Sequence, residues 1–496
     1  MGLAGEASVY LLACFLCLLL LSVWRRYGEK SHLPPGPTPL PVIGNLHQLK
    51  ASEMVKSIKA LSEKYGPVFT LHLGLRRVVV LWGYDAVKEA LVDRGDEFGD
   101  RGPLPTFGSV LDEYGVTMSN GSRWKELRRF TLKTMKDLGM GKRSIEEKIR
   151  EEARYLIEEL KMTKELPFDP TIHICNAVSN VTCSVLFGNR FDYQDEEFRE
   201  VLRMMNEAFV LSSSIYGQMY NMFTDIMDHL PGPHKRIYAL LSRIQRFTER
   251  RVKMNQETLD LKAPRDFIDH FLIKMDKEKE NPSTEFFKKN LVVSVLGLFI
   301  VGTQTVSTTL RHALLLLGKH AEIAEKVLGE IDRVIGRDRI PSIEDRIKMP
   351  YADAVIHEIL RFSDILPFGI PHMMTQNTNF RGFKLPKGME VYPILSSVLH
   401  DPNHFSDPEN FSPGNFLDEN GRFKKNNAFM PFSAGKRGCV GEGMARMEIF
   451  IYVTSILQRF KLTFPGNPKD IDTRPRLSGF ENIPANYKLQ VIPHES

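Results

Sequence analysis

The sequence is poor in cysteine, in net charge and in internal repetition. It holds five cysteines in 496 residues, and Cys175, Cys183 and Cys439 are too few and too scattered for a disulfide framework, which indicates a reducing compartment. The formal net charge of +5 is small for this length and gives no support to nucleic-acid binding. The sequence shows no repeat of roughly 20–50 residues, which excludes a solenoid or a propeller.

The amino terminus carries a long apolar run from Ala7 to Trp24, followed at once by Arg25, Arg26 and Lys30. Its length is close to the roughly 20 residues that cross a bilayer. No lysine or arginine precedes the run, so the positive-inside rule places the amino terminus outside and the rest of the chain in the cytosol. The alternative is a cleavable signal peptide, but a basic first segment and a small-residue cleavage site are missing. We therefore expect a retained signal anchor.

The periodicity of the remaining chain predicts a mostly helical protein with a smaller β region. In order, the expected elements are a proline-rich segment from His32 to Pro41, a helix over 52–65, two strands within 68–82 that turn at Gly74 and Leu75, helices up to about 362, short strands within 365–430, and a last helix from about 443 to 460. Helices followed by a minor strand region indicate an α+β fold.

The same patterns divide the chain into three parts. We predict a signal-anchor transmembrane segment over 1–27, a proline-rich hinge over 28–50 and one catalytic domain over 51–496. Dense prolines forbid helix and stiffen the backbone, which is typical of a spacer that holds a domain off a membrane.

The segment from Phe432 to Gly441 (FSAGKRGCVG) carries the most chemistry. Gly435 and Gly438 allow a tight turn in which backbone approaches a flat ligand closely. A helix is predicted just after Cys439, and the N–H groups and positive dipole end of that helix favour a thiolate over a thiol. A thiolate ligand pushes electron density onto haem iron and favours cleavage of the O–O bond. A lone cysteine is more often a small buried hydrophobe, but the glycines, the arginine and the following helix favour a ligand.

This segment matches the FxxGxRxCxG signature of the cytochrome P450 superfamily, and the chain resembles the microsomal family-two enzymes from its anchor to its last strands. The resemblance implies the cytochrome P450 fold, with haem b held by Cys439 as axial ligand and Phe432 walling the site. It implies a monooxygenase that oxidises a xenobiotic, a steroid or a fatty acid. The electrons would come from NADPH through NADPH-cytochrome P450 reductase, with cytochrome b5 as a further candidate partner. It also implies residence in the endoplasmic reticulum membrane.

Glu358 and Arg361 lie three residues apart in a predicted helix, where they can pair on one face. Taken alone, such a pair is usually solvated and worth under about 1 kcal/mol. The family's ExxR motif implies instead a buried pair tied to the loop before the cysteine, in which loss of one partner is costly. The third partner in the family is commonly Arg or His, whereas this chain has Asn415, so we expect a weaker network.

Trp124 and Arg128 lie one helical turn apart and resemble the family's WxxxR element. The resemblance implies that both side chains reach an anionic haem propionate. The same spacing also occurs by chance in ordinary amphipathic helices. Propionate contacts are further implied for Arg101, His372 and Arg437, which together would neutralise two buried carboxylates.

A second apolar run, from Leu291 to Leu317, predicts a helix buried at the centre of a domain. Only about a dozen apolar residues precede its polar stretch, too few for a second membrane span. The stretch Gly302-Thr303-Gln304-Thr305 is expected to interrupt the helix, because its glycine and its threonine hydroxyls, which can bond backbone carbonyls, can open the helical ladder. The resemblance places this helix over the haem, with Thr305 handling protons beside a groove for dioxygen.

Gln304 stands where the family has an acid, and an amide can orient water but cannot titrate as a carboxylate does. Val301 replaces the usual alanine beside the oxygen groove. We therefore expect a monooxygenase with some leakage to peroxide, and hypothesise that Gln304→Glu changes the product formed per NADPH. The departures also leave two rivals open: a peroxide-using haem-thiolate isomerase or dehydratase, and a catalytically silent haem binder.

The resemblance further implies a compact, apolar pocket for a small lipophilic substrate. Its expected lining is Phe107, Val110, Phe209, Val295, Phe299, Val301, Ile365, Leu366, Phe368 and Phe480. Each of these side chains could equally be plain core packing. Basic residues predict a landing patch for an acidic flavoprotein reductase. They are Arg123, Lys125, Arg129, Lys133, Lys136, Lys436 and Arg446.

Overall fold

Most of the described chain is helical, because apolar side chains recur every three or four residues along it. The computed structural model describes residues 10, 13–15, 17, 32–50, 53–111, 113–467 and 470–494. The predicted anchor over 1–27 therefore lies almost wholly outside the described residues. The helices are α1 (Met54–Tyr65), α2 (Tyr84–Lys88), α3 (Pro105–Leu111), α4 (Gly115–Met118), α5 (Gly121–Asp137), α6 (Arg143–Lys161), α7 (Thr171–Leu186), α8 (Glu196–Ser213), α9 (Ile215–Met222), α10 (Thr224–Met227), α11 (His234–Glu257), α12 (Phe267–Lys277), α13 (Lys288–Lys319), α14 (Ala321–Val334), α15 (Pro350–Ser363), α16 (Leu395–Leu399) and α17 (Glu442–Arg459).

The strands form one larger sheet and three two-stranded sheets. They are β1 (Val68–Leu73), β2 (Arg76–Leu81), β3 (Asp100–Arg101), β4 (His372–Met373), β5 (Thr378–Phe380), β6 (Phe383–Leu385), β7 (Glu390–Pro393), β8 (Phe460–Thr463), β9 (Leu477–Ser478), β10 (Asn482–Ile483) and β11 (Gln490–Pro493). The larger sheet has the order β1-β2-β7-β4-β3, in which β2 and β7 are parallel and the other neighbours antiparallel. The turn predicted at Gly74 and Leu75 is confirmed, and so is a mostly helical fold with a small β region.

Helix α13 is the centre of the helical core and packs against α4, α7 and α17. It is long and apolar enough to cross a membrane, but 83% of its most apolar stretch is buried inside the protein, so it is a core helix, as predicted. The helix neither ends nor breaks at Gly302, and the predicted interruption is wrong. Thr305 Oγ1 does donate to the Val301 carbonyl oxygen at 2.8 Å, but a helix tolerates such a bond without opening.

The proline-rich segment lies along the edge strand β1 instead of forming a free spacer. The Thr70 N–H and hydroxyl donate to the carbonyl oxygens of Pro35 and Pro34, each at 2.8 Å. The Asn45 N–H donates to the His72 carbonyl oxygen at 2.7 Å. Prolines lack an N–H and can only accept, so their carbonyls pair with the edge of the sheet. The folded unit therefore begins before residue 51.

Candidate active site

The loop that carries Cys439 is fixed by its own backbone and by a close approach to a neighbouring segment. The Cys439 N–H donates to the Phe432 carbonyl oxygen at 3.0 Å, and the Gly438 N–H to that of Gly435 at 3.1 Å. Gly435 has a φ of 67°, and a Cβ on it would lie 1.7 Å from the Leu91 carbonyl oxygen. Packing against Leu91 and the positive φ therefore require glycine at 435; the approach of this loop to a flat ligand stays a prediction.

Helix α17 begins directly after this loop and directs backbone N–H groups at the sulfur. The Gly441 N–H donates to Cys439 Sγ at 3.3 Å. Burial raises the pKa of the Cys439 thiol above its usual range, and the Gly441 N–H acts in the opposite direction. A bound metal cation deprotonates a coordinating thiol outright, so the sulfur is suited to a metal ligand. The Cys439 side chain lies inside the protein, but it is solvent-accessible on the side that faces a cavity.

That cavity has a volume of about 260 Å³ and a mostly apolar wall. The loop and the start of α17 contribute Phe432, Ser433, Arg437, Cys439, Val440, Gly441 and Met444. Helix α13 contributes Val301, Gly302, Thr305, Val306 and Thr309. The structure thus brings three of the predicted site residues to one cavity: Cys439, Thr305 and Gly302. A larger cavity of about 720 Å³ lies on the side of β2 and α9 and does not contain the thiol.

Arg101, Arg128 and Arg437 gather beside the small cavity, and none of them forms an ion pair with a carboxylate in the described part of the chain; the nearest acidic influence on Arg437 is the charge of Asp100. Arg101 Nη1 donates to His372 Nε2 at 2.9 Å, and His372 Nδ1 donates to the Phe98 carbonyl oxygen at 2.7 Å. These bonds describe a neutral imidazole, which agrees with a His372 pKa well below its usual value through burial and the charge of Arg101. Arg437 Nε donates to the Gly99 carbonyl oxygen at 2.6 Å.

The positive charges of Arg101, Arg128 and Arg437 repel one another. Burial, together with the charge of Arg128, lowers the pKa of Arg101 to about 10, and burial with the charge of Arg101 lowers that of Arg437 to about 8. Arg101 Nε and Arg437 Nη1 have no hydrogen-bond partner among the described residues. Buried cations require a counter-charge, so two carboxylates at this edge fit the site. Together with the cavity-facing thiol, the residues fit an iron porphyrin.

Trp124 and Arg128 make different contacts within the arginine cluster. The Arg437 guanidinium lies 3.8 Å from the centre of the Trp124 ring, an attractive cation–π contact. Arg128 Nη2 donates to the Gly438 carbonyl oxygen at 2.6 Å, next to the cysteine. Arg101 and Arg437 line the cavity, whereas Trp124, Arg128 and His372 lie behind them.

Glu358 and Arg361 form a fully buried ion pair at 2.7 Å, not the solvated pair that spacing alone would indicate. Arg361 also donates to the Leu399 carbonyl oxygen at 2.9 Å. Glu358 accepts from the Ser412 N–H at 2.8 Å and from Asn415 Nδ2 at 3.3 Å to each carboxylate oxygen. Asn415 therefore reaches the carboxylate, but through long, neutral-donor bonds, in keeping with a weaker network.

Thr305 and Gln304 leave helix α13 in different directions. Thr305 and Gly302 line the cavity, whereas the buried Gln304 amide donates to Thr308 Oγ1 and to Glu481 Oε2, each at 3.2 Å. Successive residues of a helix are rotated by about 100°, and here that rotation takes the Gln304 side chain away from the cavity wall that Thr305 lines. The sequence placed Gln304 beside the reacting atoms, and the structure places it against Glu481.

Six of the predicted pocket residues line the small cavity. These are Phe107, Phe209, Val301, Ile365, Leu366 and Phe480. The other four do not: Val110, Val295 and Phe299 are buried in the core, and Phe368 lines the larger cavity. Val295 and Phe299 lie on α13 but on faces turned away from Thr305, and the Phe299 ring lies 5.6 Å from that of Phe187.

Two residues of the site were missed by the sequence reasoning. Asn120 Oδ1 accepts from the Arg101 N–H at 2.6 Å and from Arg437 Nη2 at 2.8 Å, which ties the arginines together. Its only signal is its position just before α5. Glu481 is fully buried and faces Gln304, and no local pattern marks it because the two residues lie 177 positions apart.

Comparison with known proteins gives a consistent result over nearly the whole chain. The family model described as "Cytochrome P450" matches residues 34–491. Cytochrome P450 2G1 of Oryctolagus cuniculus is 54% identical, over 99% of this chain and 100% of that protein. Cytochrome P450 2A13 and cytochrome P450 2A6, both of Homo sapiens, are each 54% identical over 99% of this chain and 99% of their own length.

Proposed function

The chain belongs to the cytochrome P450 family and is a haem-thiolate monooxygenase of the microsomal family-two type, and on that premise we propose how its own residues perform the reaction. The proposed activity is insertion of one atom of dioxygen into a small lipophilic substrate, with NADPH electrons delivered by a flavoprotein reductase. The observation that carries it is the mostly apolar cavity that the Cys439 thiol and Thr305 both line.

Haem b is the cofactor, and when bound through a thiolate it supplies the activation of dioxygen. In the proposal, Cys439 would hold the haem iron through its sulfur, and Phe432 would shield that sulfur from water. Arg101 and Arg437 would pair with the propionates through the nitrogens that have no protein partner. His372 would hold the Arg101 side chain in place, Trp124 would support the Arg437 guanidinium, and Arg128 would hold the cysteine loop through the Gly438 carbonyl oxygen.

Thr305 is proposed to handle protons at its hydroxyl on the cavity wall. Oγ1 donates to the Val301 carbonyl oxygen at 2.8 Å, which leaves its lone pairs free to accept. A hydroxyl can turn its one O–H from one acceptor to another by rotation, so Oγ1 can pass a proton without moving the helix. Gly302, which has no side chain, keeps the wall beside it open.

The substrate is proposed to be small and lipophilic because aromatic rings crowd the cavity. The Phe107 ring lies 5.2 Å from those of Phe209 and Phe480. Such a surface gains from burying a hydrophobic or aromatic ligand and offers few polar groups. A xenobiotic, a steroid or a fatty acid of modest bulk fits this description. A low-to-high-spin shift of the ferric enzyme with each class would identify the substrate.

The endoplasmic reticulum membrane is the proposed location, with a single anchor over 1–27 and the catalytic domain in the cytosol. Apolar side chains of α9 support it. Ile215, Tyr216 and Met219 are exposed and line the mouth of the larger cavity. Exposed apolar side chains grouped in this way mark contact with a membrane or a partner. A lipophilic substrate could therefore enter from the bilayer. Removal of residues 1–27 should weaken binding to phospholipid vesicles. Some binding should remain, because the exposed apolar side chains of α9 are still present.

The role of Cys439 is tested by Cys439→Ser with Cys175→Ser as the matched control. Cys175 is buried in α7 and does not line the small cavity. We expect Cys439→Ser to lose the ferrous–carbon monoxide spectrum of a thiolate-ligated haem and its turnover, and Cys175→Ser to retain both. An unaltered spectrum in Cys439→Ser would reject the ligand.

A further inference from the structure

The turn between β9 and β10 carries Phe480 and Glu481 and is held tightly against two helices. The Glu481 N–H donates to Ser213 Oγ, at the end of α8, at 3.0 Å. The His312 Nε2 of α13 bonds the Asn482 carbonyl oxygen at 3.0 Å. A Cβ on Gly479 would lie 2.3 Å from the Ser213 carbonyl oxygen, so the turn has no room to shift towards α8.

The Glu481 carboxylate links this turn to α13 a second time, beside the bond from His312, and it bonds both Thr308 and Gln304 of that helix. Its Oε2 accepts from Gln304 Nε2 at 3.2 Å, and the same nitrogen bonds Thr308 Oγ1 at 3.2 Å. Glu481 and Gln304 are both buried, where a polar group left without its partner costs more free energy than the bond itself provides. Arg311 is the charged group of α13 that acts on this carboxylate. The amide at 304 suits the carboxylate, because a second carboxylate there would repel the first.

Phe480, next to Glu481, lies at the boundary between the two cavities. Its ring lines both the small cavity that contains Cys439 and the larger cavity at α9. Leu104 and Gly369 also line both, so the cavities are neighbours at this point. A side chain shared by two adjacent cavities limits what passes between them.

We propose that Glu481 is a positioning residue: its hydrogen bond with Gln304 locks the turn so that Phe480 partitions the larger cavity from the haem site and selects ligands by bulk. The inference rests on the proposed function only in treating the small cavity as the haem site. It assigns Gln304, which departs from the family's acid, the task of holding Glu481. Burial raises the pKa of Glu481 to about 7, as a lone carboxyl in such surroundings requires.

The test uses the full-length holoenzyme and two nitrogen ligands of ferric haem, imidazole and the bulkier 4-phenylimidazole, mixed in a stopped-flow spectrometer. Glu481→Ala removes the carboxylate, Glu481→Gln keeps an amide able to bond Gln304, and Gln304→Ala removes the Gln304 bond while leaving the bonds from Thr308 and His312 in place. Asp472→Asn is the matched control, an exposed carboxylate of the same carboxy-terminal segment that pairs with Arg474. Ferrous–carbon monoxide spectra of all variants establish separately that the haem is ligated normally.

We expect Glu481→Ala and Gln304→Ala to bind and release 4-phenylimidazole about tenfold faster, the scale of one lost hydrogen bond, and imidazole at the parental rate. Their double variant should be no faster than either single one, because both break one link. Glu481→Gln and Asp472→Asn should match the parent. Parental 4-phenylimidazole rates in both alanine variants, with normal carbon monoxide spectra, would overturn the lock. Loss of those spectra in Gln304→Ala and Glu481→Ala alike would overturn it too, since a lock leaves the iron ligand untouched.

Discussion

Gln304 illustrates at the scale of single residues how neighbours decide what a side chain does. Its position beside Thr305 suggested a weakened proton relay, but its amide is engaged with Glu481 and Thr308. The side chain is buried away from the cavity wall. Leakage to peroxide therefore cannot be deduced from the amide at 304. Val301 does line the cavity, so the expected crowding beside Thr305 remains a prediction.

Gln304→Glu should lower stability in a pH-dependent way instead of restoring a proton donor. Glu481 already has a pKa raised from 4.5 to about 7 by burial, so the folded state binds more protons than the unfolded state between these values. The contribution of Glu481 to the free energy of unfolding is thus greatest at low pH. It falls by about 3 kcal/mol in all as the pH rises through about 7. A second carboxyl at 304 should steepen the fall.

The measurement is the apparent unfolding temperature of parent, Gln304→Glu and Glu481→Gln at several pH values from 5 to 8. Glu481→Gln should flatten the profile, and Gln304→Glu should match the parent best at the acid end. Product formed per NADPH should not increase in Gln304→Glu. A variant with improved coupling and an unchanged pH profile would contradict this account.

At the scale of elements, α15 organises the long segment that precedes the cysteine loop. Arg361 donates to the carbonyl oxygens of Leu399 and Pro408 at 2.9 Å and of Asn410 at 3.1 Å. Glu358 holds the Ser412 N–H from the same helix. The irregular segment has backbone N–H and carbonyl groups without partners in a helix or a sheet. The fully buried charged side chains of α15 supply hydrogen-bond partners for those groups.

Glu358→Gln should be strongly destabilising, because it leaves Arg361 buried without its counter-charge. The expected loss is about 3–5 kcal/mol. Glu158→Gln is the matched control, because Glu158 pairs with Lys161 at the same spacing on the exposed surface of α6, where such a pair is worth under about 1 kcal/mol. Denaturant unfolding and the fraction of haem retained would be compared. Equal losses in both variants would show that burial of the pair contributes nothing.

At the scale of the whole molecule, one face of α5 is the candidate contact for a redox partner. Lys125, Arg129 and Lys133 recur every four residues, are exposed, and have no ion pair in the described ranges. The same helix reaches the cysteine loop through Arg128 and Gly438. Three other members of the predicted patch form ion pairs within the protein: Arg123 pairs with Glu285 at 2.7 Å, Arg446 with Glu442 at 2.9 Å, and Lys436 with Asp96. The patch is therefore narrower than the sequence indicated.

Reversal of Lys125, Arg129 and Lys133 to Glu should slow reduction by the flavoprotein reductase at least about tenfold at low salt. The loss should shrink as salt rises, because screening weakens contacts between exposed charges. The control reverses three exposed cations of α11, Lys235, Arg246 and Lys253, and should leave reduction near the parental rate. Stopped-flow reduction of the ferric enzyme at several ionic strengths makes the comparison. Equal slowing by both triple variants would rule out a specific contact on α5.

The sequence by itself determined the class of fold, the cysteine loop, the buried character of α13 and the family, because each rests on local periodicity or on a short contiguous motif. The family resemblance named ten pocket residues, of which six line the small cavity; their role in binding substrate stays a prediction. Only the tertiary structure decided where Gln304 turns, why Gly435 must be glycine, and that Asn120 ties two arginines together. Those outcomes depend on contacts between residues far apart in sequence, such as Gln304 and Glu481, and on which face of a helix meets the cavity. Neither is fixed until the elements have packed.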